Sequence, residues 1–262
     1  MQYHLITIGC QMNKADSERI ASFLEKRGYV ASSSWLGVDL VVLTTCGVRQ
    51  SAEDRVYGLV NRIRQGNPKA AVVITGCLAR RDDVKRRLRG KVDLFMPINE
   101  LPNIFALLKD SHRQLSLSTD AVRELSGEKY LTIIPKYQST FTAYIPIGNG
   151  CNNFCSYCVV PYARGREVYR PAADVIKEAK ALLKRGYKEI ILIAQNVNSY
   201  RSGRTNFPQL LSKLAALPGN FWLRFSSSHP KDLSPELIKG LASSDKICHH
   251  LHVAVQSGDD EI

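Results

Sequence analysis

AAVVITGC, residues 70 to 77, is a short, β-branched, almost uninterrupted apolar run that ends in a cysteine. Continuous apolarity rather than alternation is the mark of a strand buried on both faces, as the strands of parallel sheets are. Two earlier runs share the layout: YHLITIGC (3 to 10) and DLVVLTTC (39 to 46). Helical patterns fall between and after them. DSERIASFLEKRGY is expected to open at an Asp16 or Ser17 cap and close at Gly28, SAEDRVYGLVNRIRQGNP to run from Ser51 to Gly66 and Pro68, and a basic helix to follow Cys77. Strand, helix, strand, helix predicts a parallel sheet with helices on its faces. All strands of such a sheet point one way, so the residues past their ends gather on one edge, where open α/β sheets bind ligands. One free cysteine at a strand end is ordinary packing. Three of them, Cys10, Cys46 and Cys77, all at the functional edge, point to a shared site.

KVDLFMPINELPNIFALLKD (91 to 110) completes this first domain as strand, turn and helix, and the polar stretch from His112 to Tyr130 reads as a connection. The expected organisation is a domain over 1–112, a linker over 113–140, and a second domain over 141–262. In the second domain TAYIPIG, KEIILIAQ, FWLRFSS and ICHHLHVAV are expected strands, separated by helices starting near Pro171, Asn206 and Ser234. A closed (β/α) barrel needs about 200 residues or more. This stretch is therefore expected to be the first part of an incomplete barrel from a longer protein, with apolar edges that favour dimerisation or poor solubility.

With 262 residues and 44% hydrophobic content, the chain can bury a real core and is not disordered. No apolar run reaches the length of a membrane span, and MQYHLITIGCQMNK does not have the make-up of a signal peptide, so a cytoplasmic location is expected. In that reducing compartment seven cysteines, an odd number, suit metal ligation or catalysis better than a disulfide framework. The net charge of +12 suggests an anionic macromolecular partner, most often nucleic acid. RRDDVKRRLRGK (80 to 91) is expected to display its basic side chains over some three helical turns as a phosphate-facing stripe.

GNGCNNFCSYCVVPYARG (148 to 165) sets Cys151, Cys155 and Cys158 at CxxxCxxC spacing just past the first strand of the second domain. In a (β/α) barrel that is the face where catalytic groups collect. A structural zinc site wants four protein ligands, and no His or Cys follows until His229. An all-thiolate triplet is softer and suits a four-iron cluster that leaves one iron open to another ligand. The spacing resembles the signature of the radical S-adenosylmethionine (SAM) enzymes, which implies that the open iron binds SAM and that reductive cleavage yields a 5′-deoxyadenosyl radical. In that family an aromatic before the last cysteine lies near the adenine; here it is Tyr157.

GCQMNKADSE, VLTTCGVRQSAEDR, ITGCLA, GCNNFCSYCVVPYARGRE, AQNVNSY, RFSSSHPKDLSPELI and HLHVAVQSGDDEI together resemble the radical SAM methylthiotransferases, nearest to the MiaB-type tRNA enzymes, over essentially the whole chain. The resemblance implies two 4Fe-4S clusters and SAM. Cys10, Cys46 and Cys77 would hold an auxiliary cluster that presents the sulfur, and Cys151, Cys155 and Cys158 the radical SAM cluster. It also implies conversion of N6-isopentenyladenosine beside the tRNA anticodon to its 2-methylthio derivative, an electron donor such as flavodoxin or ferredoxin, and a monomer at full length. Methylthiolation of threonylcarbamoyladenosine or of a ribosomal protein, or an inactive fragment, are the alternatives. Family members continue with further barrel strands and an RNA-binding TRAM domain beyond the motifs found here. Thr44, Arg80, Ala194 and Ala254 depart from common family residues without removing a ligand.

Gln195, Asn196 and Asn198 in AQNVNSY are expected to contact SAM or substrate, against the plainer reading that they satisfy backbone groups at a strand end. Arg164, Arg166 and Arg170 suit anion contacts, or charge balance around thiolates and ion pairs with the nearby Glu167. Cys248 reads as packing, and His249, His250 and His252, alternating on an expected strand, cannot form one three-ligand site. His229, before Pro230, is placed near the barrel mouth with no assigned role.

Overall fold

The computed structural model describes residues 1–111 and 128–261. The chain divides into two compact units, one formed by residues 1–136 with 152–166, the other by 137–151 with 167–262. Most of the connecting stretch expected after the first domain lies outside the described residues.

The first unit is built on the three cysteine-ended runs. Its elements are β1 (Gln2–Thr7), α1 (Gln11–Glu25), β2 (Val30–Ala31), β3 (Leu40–Thr45), α2 (Gln50–Gly66), β4 (Ala71–Gly76), α3 (Asp82–Arg87), β5 (Leu94–Phe95), α4 (Ile104–Ser111), α5 (Glu128–Leu131) and, from the second cysteine motif, α6 (Val160–Arg164). The strands form one all-parallel sheet in the order β2-β1-β3-β4-β5. β3 is buried along its whole length and shares its side chains between two cores. Leu40 and Val42 pack with Ile20, Phe23 and Leu24 of α1, while Val41 and Leu43 pack with Val56, Val60 and Ile63 of α2. That period-2 split is why the sequence shows no alternation there.

Two local expectations are corrected. α1 starts at Gln11 rather than at an Asp16 or Ser17 cap, because the chain turns sharply at Gly9 (φ +141°) and Cys10 takes the extended N-cap conformation. Asp16 and Ser17 lie inside the helix and are buried; Ser17 Oγ bonds Thr7 Oγ1 at 2.7 Å and Thr44 Oγ1 at 3.0 Å. The basic run after Cys77 forms only the six-residue α3, not three turns. Its cations are largely spent inside the unit. Arg81 pairs with Glu53 at 2.5 Å and with Asp83, Lys85 with Asp82 at 3.2 Å, and the Arg87 guanidinium lies 3.8 Å over the Tyr57 ring. Arg86, Arg87, Arg89 and Lys91 are exposed while Arg80, Arg81 and Lys85 are half-buried, so the run is not a continuous phosphate-facing stripe.

The second unit repeats strand and helix: β6 (Thr142–Pro146), β7 (Gly148–Asn149), β8 (Val168–Tyr169), α7 (Ala172–Lys184), β9 (Glu189–Ile193), β10 (Arg201–Ser202), β11 (Thr205–Asn206), α8 (Phe207–Ala215), β12 (Trp222–Ser226) and α9 (Pro235–Leu241). β6, β9 and β12 run parallel in that spatial order. Ile145, Ile190, Leu192, Leu223 and Phe225 of the sheet pack with Val175, Leu182, Leu210 and Leu237 of the helices in one core. The expected fourth strand, 247–255, is present only as two isolated parallel bridges, Leu223↔Ile247 and Ser228↔Val253. The backbone turns on itself there instead: His250 N–H bonds the Cys248 carbonyl and Val255 N–H that of Val253, which removes donors a ladder would need. His249, His250 and His252 are all exposed, so the two-faced arrangement expected of a strand does not apply.

Candidate iron-sulfur site

Cys10, Cys46 and Cys77 follow β1, β3 and β4, which are sheet neighbours paired Thr7↔Thr44 and Thr45↔Gly76. Ile8 N–H bonds the Thr44 carbonyl and Cys77 N–H that of Thr45, both at 2.9 Å, so the pairing carries on to the cysteines themselves. Two glycines show how closely these ends approach. A methyl group on Gly9 would lie 3.0 Å from Cys46 Cβ, and one on Gly47 would lie 3.2 Å from Cys77 Cβ. The sheet thus lines up the three side chains along its carboxyl edge, with Cys46 and Cys77 buried and Cys10 exposed. Among the described residues no three His, Cys, Asp or Glu side chains stand close enough to share a single metal ion. A four-iron cluster makes a different demand, since each thiolate binds its own iron and the ligands stand further apart than around one zinc. An all-cysteine set against an edge kept open by glycine fits such a cluster.

A buried polar network backs this edge. Arg164, on α6, has a side chain 3% exposed and pairs with the Asp16 carboxylate at 2.9 Å, itself 1% exposed. The same Nη2 donates to Asn13 Oδ1 at 3.1 Å, and the Tyr130 hydroxyl donates to Asp16. Asn13 is held by its other end, Nδ2 donating to the Ile8 carbonyl at 2.9 Å, and the Cys10 thiol meets Asn13 Oδ1 at 3.6 Å. Burial by itself would lower the affinity of Arg164 for its proton; Asp16 and Cys77 outweigh it and hold the charge firmly. Burial, then Asp16, pushes the Tyr130 hydroxyl well above its ordinary range, so it stays a donor. The sequence offers Glu167 as a nearby partner for Arg164; the acid that it meets is Asp16, 148 positions earlier.

The second motif begins where β7 and β8 pair antiparallel, Gly148↔Tyr169 and Asn149↔Val168, which brings the two ends of the cysteine segment together. Gly148 is required there, as a Cβ would come within 2.5 Å of the Tyr169 ring. Cys151 is buried in the second unit, whereas Cys155 and Cys158 lie on 152–166, which packs as part of the first unit with Cys10, Cys46 and Cys77. A turn closes between them, Cys158 N–H to the Cys155 carbonyl at 2.9 Å. Tyr157 is 65% exposed, and Phe154, at φ +45°, meets Tyr162 edge-on with ring centroids 5.8 Å apart.

At the carboxyl ends of β9 and β12 the three amide residues separate in role. Asn198 clamps the backbone of His229 both ways, Nδ2 to its carbonyl at 2.9 Å and Oδ1 from its N–H at 2.8 Å. It therefore does what the plainer reading allowed. Asn196 Nδ2 donates to Ser199 Oγ at 2.5 Å and Asp232 Oδ2 at 2.9 Å, while Asn196 Oδ1 and Gln195 Oε1 are buried without a hydrogen-bond partner among the described residues. Ser228 Oγ is in the same condition. Orphaned buried acceptors and hydroxyls at one strand edge are costly unless a ligand completes them. Beside them opens a cleft of about 580 Å³ lined by Glu167, Tyr169, Ser199, Arg201, Lys231 and Asp232. Asp232, Ser199 and Ser228 were not singled out from sequence, although RFSSSHPKDL contains Ser228 and Asp232 and AQNVNSY contains Ser199. Arg170 is structural: it pairs with Glu178 at 2.6 Å and donates to the Pro146 carbonyl at 3.0 Å. Arg166 is exposed, and His229 Nδ1 accepts from Lys231 N–H at 3.2 Å. No helix among the described residues is long and apolar enough to cross a membrane.

The comparisons with known proteins match two separate regions of the chain. Residues 2–96 match the uncharacterized protein family UPF0004, and residues 145–262 match the radical SAM superfamily. A tRNA-2-methylthio-N(6)-dimethylallyladenosine synthase from Carboxydothermus hydrogenoformans is 37% identical across 99% of this chain and 61% of its own length. Proteins of the same name from Syntrophomonas wolfei and Finegoldia magna are 38% and 37% identical over 100% and 99% of this chain, and 60% and 58% of their own. The chain spans about three-fifths of the length of these curated relatives. Among solved structures, the radical SAM methyltransferase TsrM from Kitasatospora setae superposes with a TM-score of 0.58 at 16% identity, over 92% of this chain and 57% of its own, a likeness of fold. Along its whole length the chain is thus similar to tRNA-2-methylthio-N(6)-dimethylallyladenosine synthases, with a first region that matches UPF0004 and a second that matches the radical SAM superfamily.

Proposed function

We propose that this chain carries the sites for SAM-dependent methylthiolation of a tRNA adenosine, converting N6-isopentenyladenosine next to the anticodon to its 2-methylthio form. The observation that carries the reading is the alignment of Cys10, Cys46 and Cys77 on three adjacent strand ends of one sheet, in the same compact unit as Cys155 and Cys158. Cys10, Cys46 and Cys77 would hold an auxiliary 4Fe-4S cluster, and Cys151, Cys155 and Cys158 a second one that binds SAM. Together with SAM these groups supply radical cleavage of an aromatic C–H bond and a sulfur to take its place. The protein's own residues bind and orient. Tyr157 offers an exposed ring for stacking on adenine, and Gln195, Asn196 and Ser228 offer buried polar atoms to a polar ligand at the strand edge. Asn198 and Asp232 act behind them by holding the loop after β12 in place. The three relatives named above carry the isopentenyl-type name, which favours this adenosine over threonylcarbamoyladenosine or a ribosomal protein. A low-potential donor such as flavodoxin or ferredoxin, a cytoplasmic location and a monomeric full-length protein complete the proposal.

Anaerobic reconstitution tests it. The chain is expected to take up iron and sulfide for two clusters, and the Cys151→Ala/Cys155→Ala/Cys158→Ala variant for one. Complete loss of iron in that variant would mean a single site. Mass spectrometry of tRNA nucleosides from cells with and without the gene tests the substrate, and unchanged methylthio-isopentenyladenosine refutes it.

A further inference from the structure

The network behind the first cysteine triplet is more than packing. It ties α6, which follows Cys158 closely, to the helix whose N-cap is Cys10, through three side chains that are almost fully buried. A buried ion pair is a poor source of net stability, because desolvation of both charges cancels most of their attraction. What such a pair does provide is a fixed, oriented dipole in a medium that screens it weakly.

We propose that the Arg164–Asp16 pair is a positioning and tuning element of the auxiliary site, with Arg164 its positive end on the side of Cys10 and Cys77 and Asp16 its negative end toward Tyr130. The inference rests on the assignment of Cys10, Cys46 and Cys77 as cluster ligands. Geometry sets the direction. Arg164 Nη2 bridges Asn13 Oδ1 at 3.1 Å and Asp16 Oδ2 at 2.9 Å, and Asn13 Oδ1 is the atom that the Cys10 thiol meets at 3.6 Å. Cys77 is close enough to contribute to holding the Arg164 charge. Tyr130 donates to the other carboxylate oxygen of Asp16. Asn13 is pinned at both ends, so its amide cannot turn over. Once Cys10 is a thiolate it has no proton for Asn13 Oδ1; being exposed, it is able to rotate toward a cluster while Arg164 keeps Asn13 in place. A positive end on the side of Cys10 and Cys77 favours the more negative, reduced state of whatever their thiolates bind. Each half of the pair should then move the reduction potential in an opposite direction.

The test uses this chain with Cys151, Cys155 and Cys158 replaced by Ala, so that only the auxiliary cluster is present, and an EPR-monitored redox titration. Arg164→Gln removes the positive end and is expected to shift the midpoint to more negative potential. Asp16→Asn removes the negative end and is expected to shift it to more positive potential. Arg164→Lys and the double variant Arg164→Gln/Asp16→Asn are both expected near the parent, the double because neither charge remains. Shifts of the same sign in the two single variants, or none while iron is retained, overturn the tuning role. Loss of iron from Arg164→Gln and from the double variant alike overturns it in favour of packing alone. A parent that takes up no iron overturns the ligand assignment, and this inference with it.

Discussion

Gly76 offers a sharp test of how the sheet delivers Cys77 to the site. Its φ is +86°, and a Cβ there would lie 2.5 Å from the Thr45 carbonyl oxygen and 2.9 Å from the Thr45 nitrogen, backbone atoms of the neighbouring strand that have no freedom to move aside. Gly28 has nearly the same φ, +83°, in the same unit, and a Cβ there would meet nothing within 4 Å. Gly28→Ala therefore isolates the conformational part. Placing an L-residue at positive φ costs about 1–2 kcal/mol, and the stiffer unfolded chain returns roughly 0.4–1 kcal/mol, for a net loss of about 1 kcal/mol. Gly76→Ala adds steric overlap with backbone, roughly 1–3 kcal/mol more. The difference between the two variants, about 2 kcal/mol, corresponds to a urea midpoint lower by roughly 1 M at a typical slope. The chain has two tryptophans, Trp35 in the first unit and Trp222 in the second, so a Trp222→Phe background makes fluorescence report on the first unit alone. Gly76→Ala should also lose auxiliary iron on reconstitution, because the overlap can be relieved only by moving the segment that carries Cys77, whereas Gly28→Ala should keep it. Equal midpoints for the two variants, with equal iron, would refute the argument that close strand approach sets the cysteine position.

Three further outcomes are expected. Burial works to raise the Glu189 carboxyl, but hydrogen bonds from Thr142 (2.6 Å) and Arg224 (2.9 Å) outweigh it and hold it below the ordinary range. Its stabilising contribution is then present above the unfolded value of about 4.3 and is lost as pH falls through the lower folded value; Trp222 fluorescence in a Trp35→Phe background should show that acid slope, reduced in Glu189→Gln. Asn206 caps α8 by accepting from Gln209 N–H at 2.9 Å while Gln209 Oε1 accepts from Asn206 N–H at 3.2 Å, so Asn206→Ala should cost about 1 kcal/mol in urea unfolding, and Asn206→Ser, which keeps a capping oxygen without setting a second carboxylate against Glu236, less. Asn198→Ala removes the acceptor of the His229 N–H and one of the two donors to its carbonyl, the other being Asp232 N–H at 3.2 Å, with an expected cost of about 1–3 kcal/mol and faster hydrogen exchange confined to the 227–232 loop; exchange unchanged there would show that the clamp does not hold the loop.

Legibility from sequence followed the range of the interactions. The three strands, the helices between them and the cysteine edge could be read because each depends on a local pattern, continuous apolarity for burial on both faces and a cap or glycine for a helix end. The cap of α1 was misplaced by six or seven residues because the chain approaches Cys46 closely at Gly9 and Cys10 serves as N-cap although it is not a capping residue type. The basic run misled for a related reason. Arg81 and Arg87 meet Glu53 and Tyr57 of α2, which are nearby only after the sheet has folded, and a count of charges along a segment cannot see them. The fourth strand of the second unit failed at the backbone, where two tight turns took the donors that the apolar pattern assigned to a ladder.

The site divides in the same way. The six cysteines stand out because that residue type, at strand ends and at CxxxCxxC spacing, suits thiolate chemistry. The groups that orient them do not, since Asn13, Asp16, Tyr130 and Arg164 come from separate parts of the chain and each is an ordinary residue in its own segment. Arg164 illustrates the difference: in the sequence its nearest acid is Glu167, but α6 turns it toward α1, where an acid that looked like a helix cap is buried and waiting for a cation. An unpaired Asp16 in that interior would be strongly destabilising. The second cysteine segment is therefore joined to α1 by charge as well as by shape, through a single buried pair.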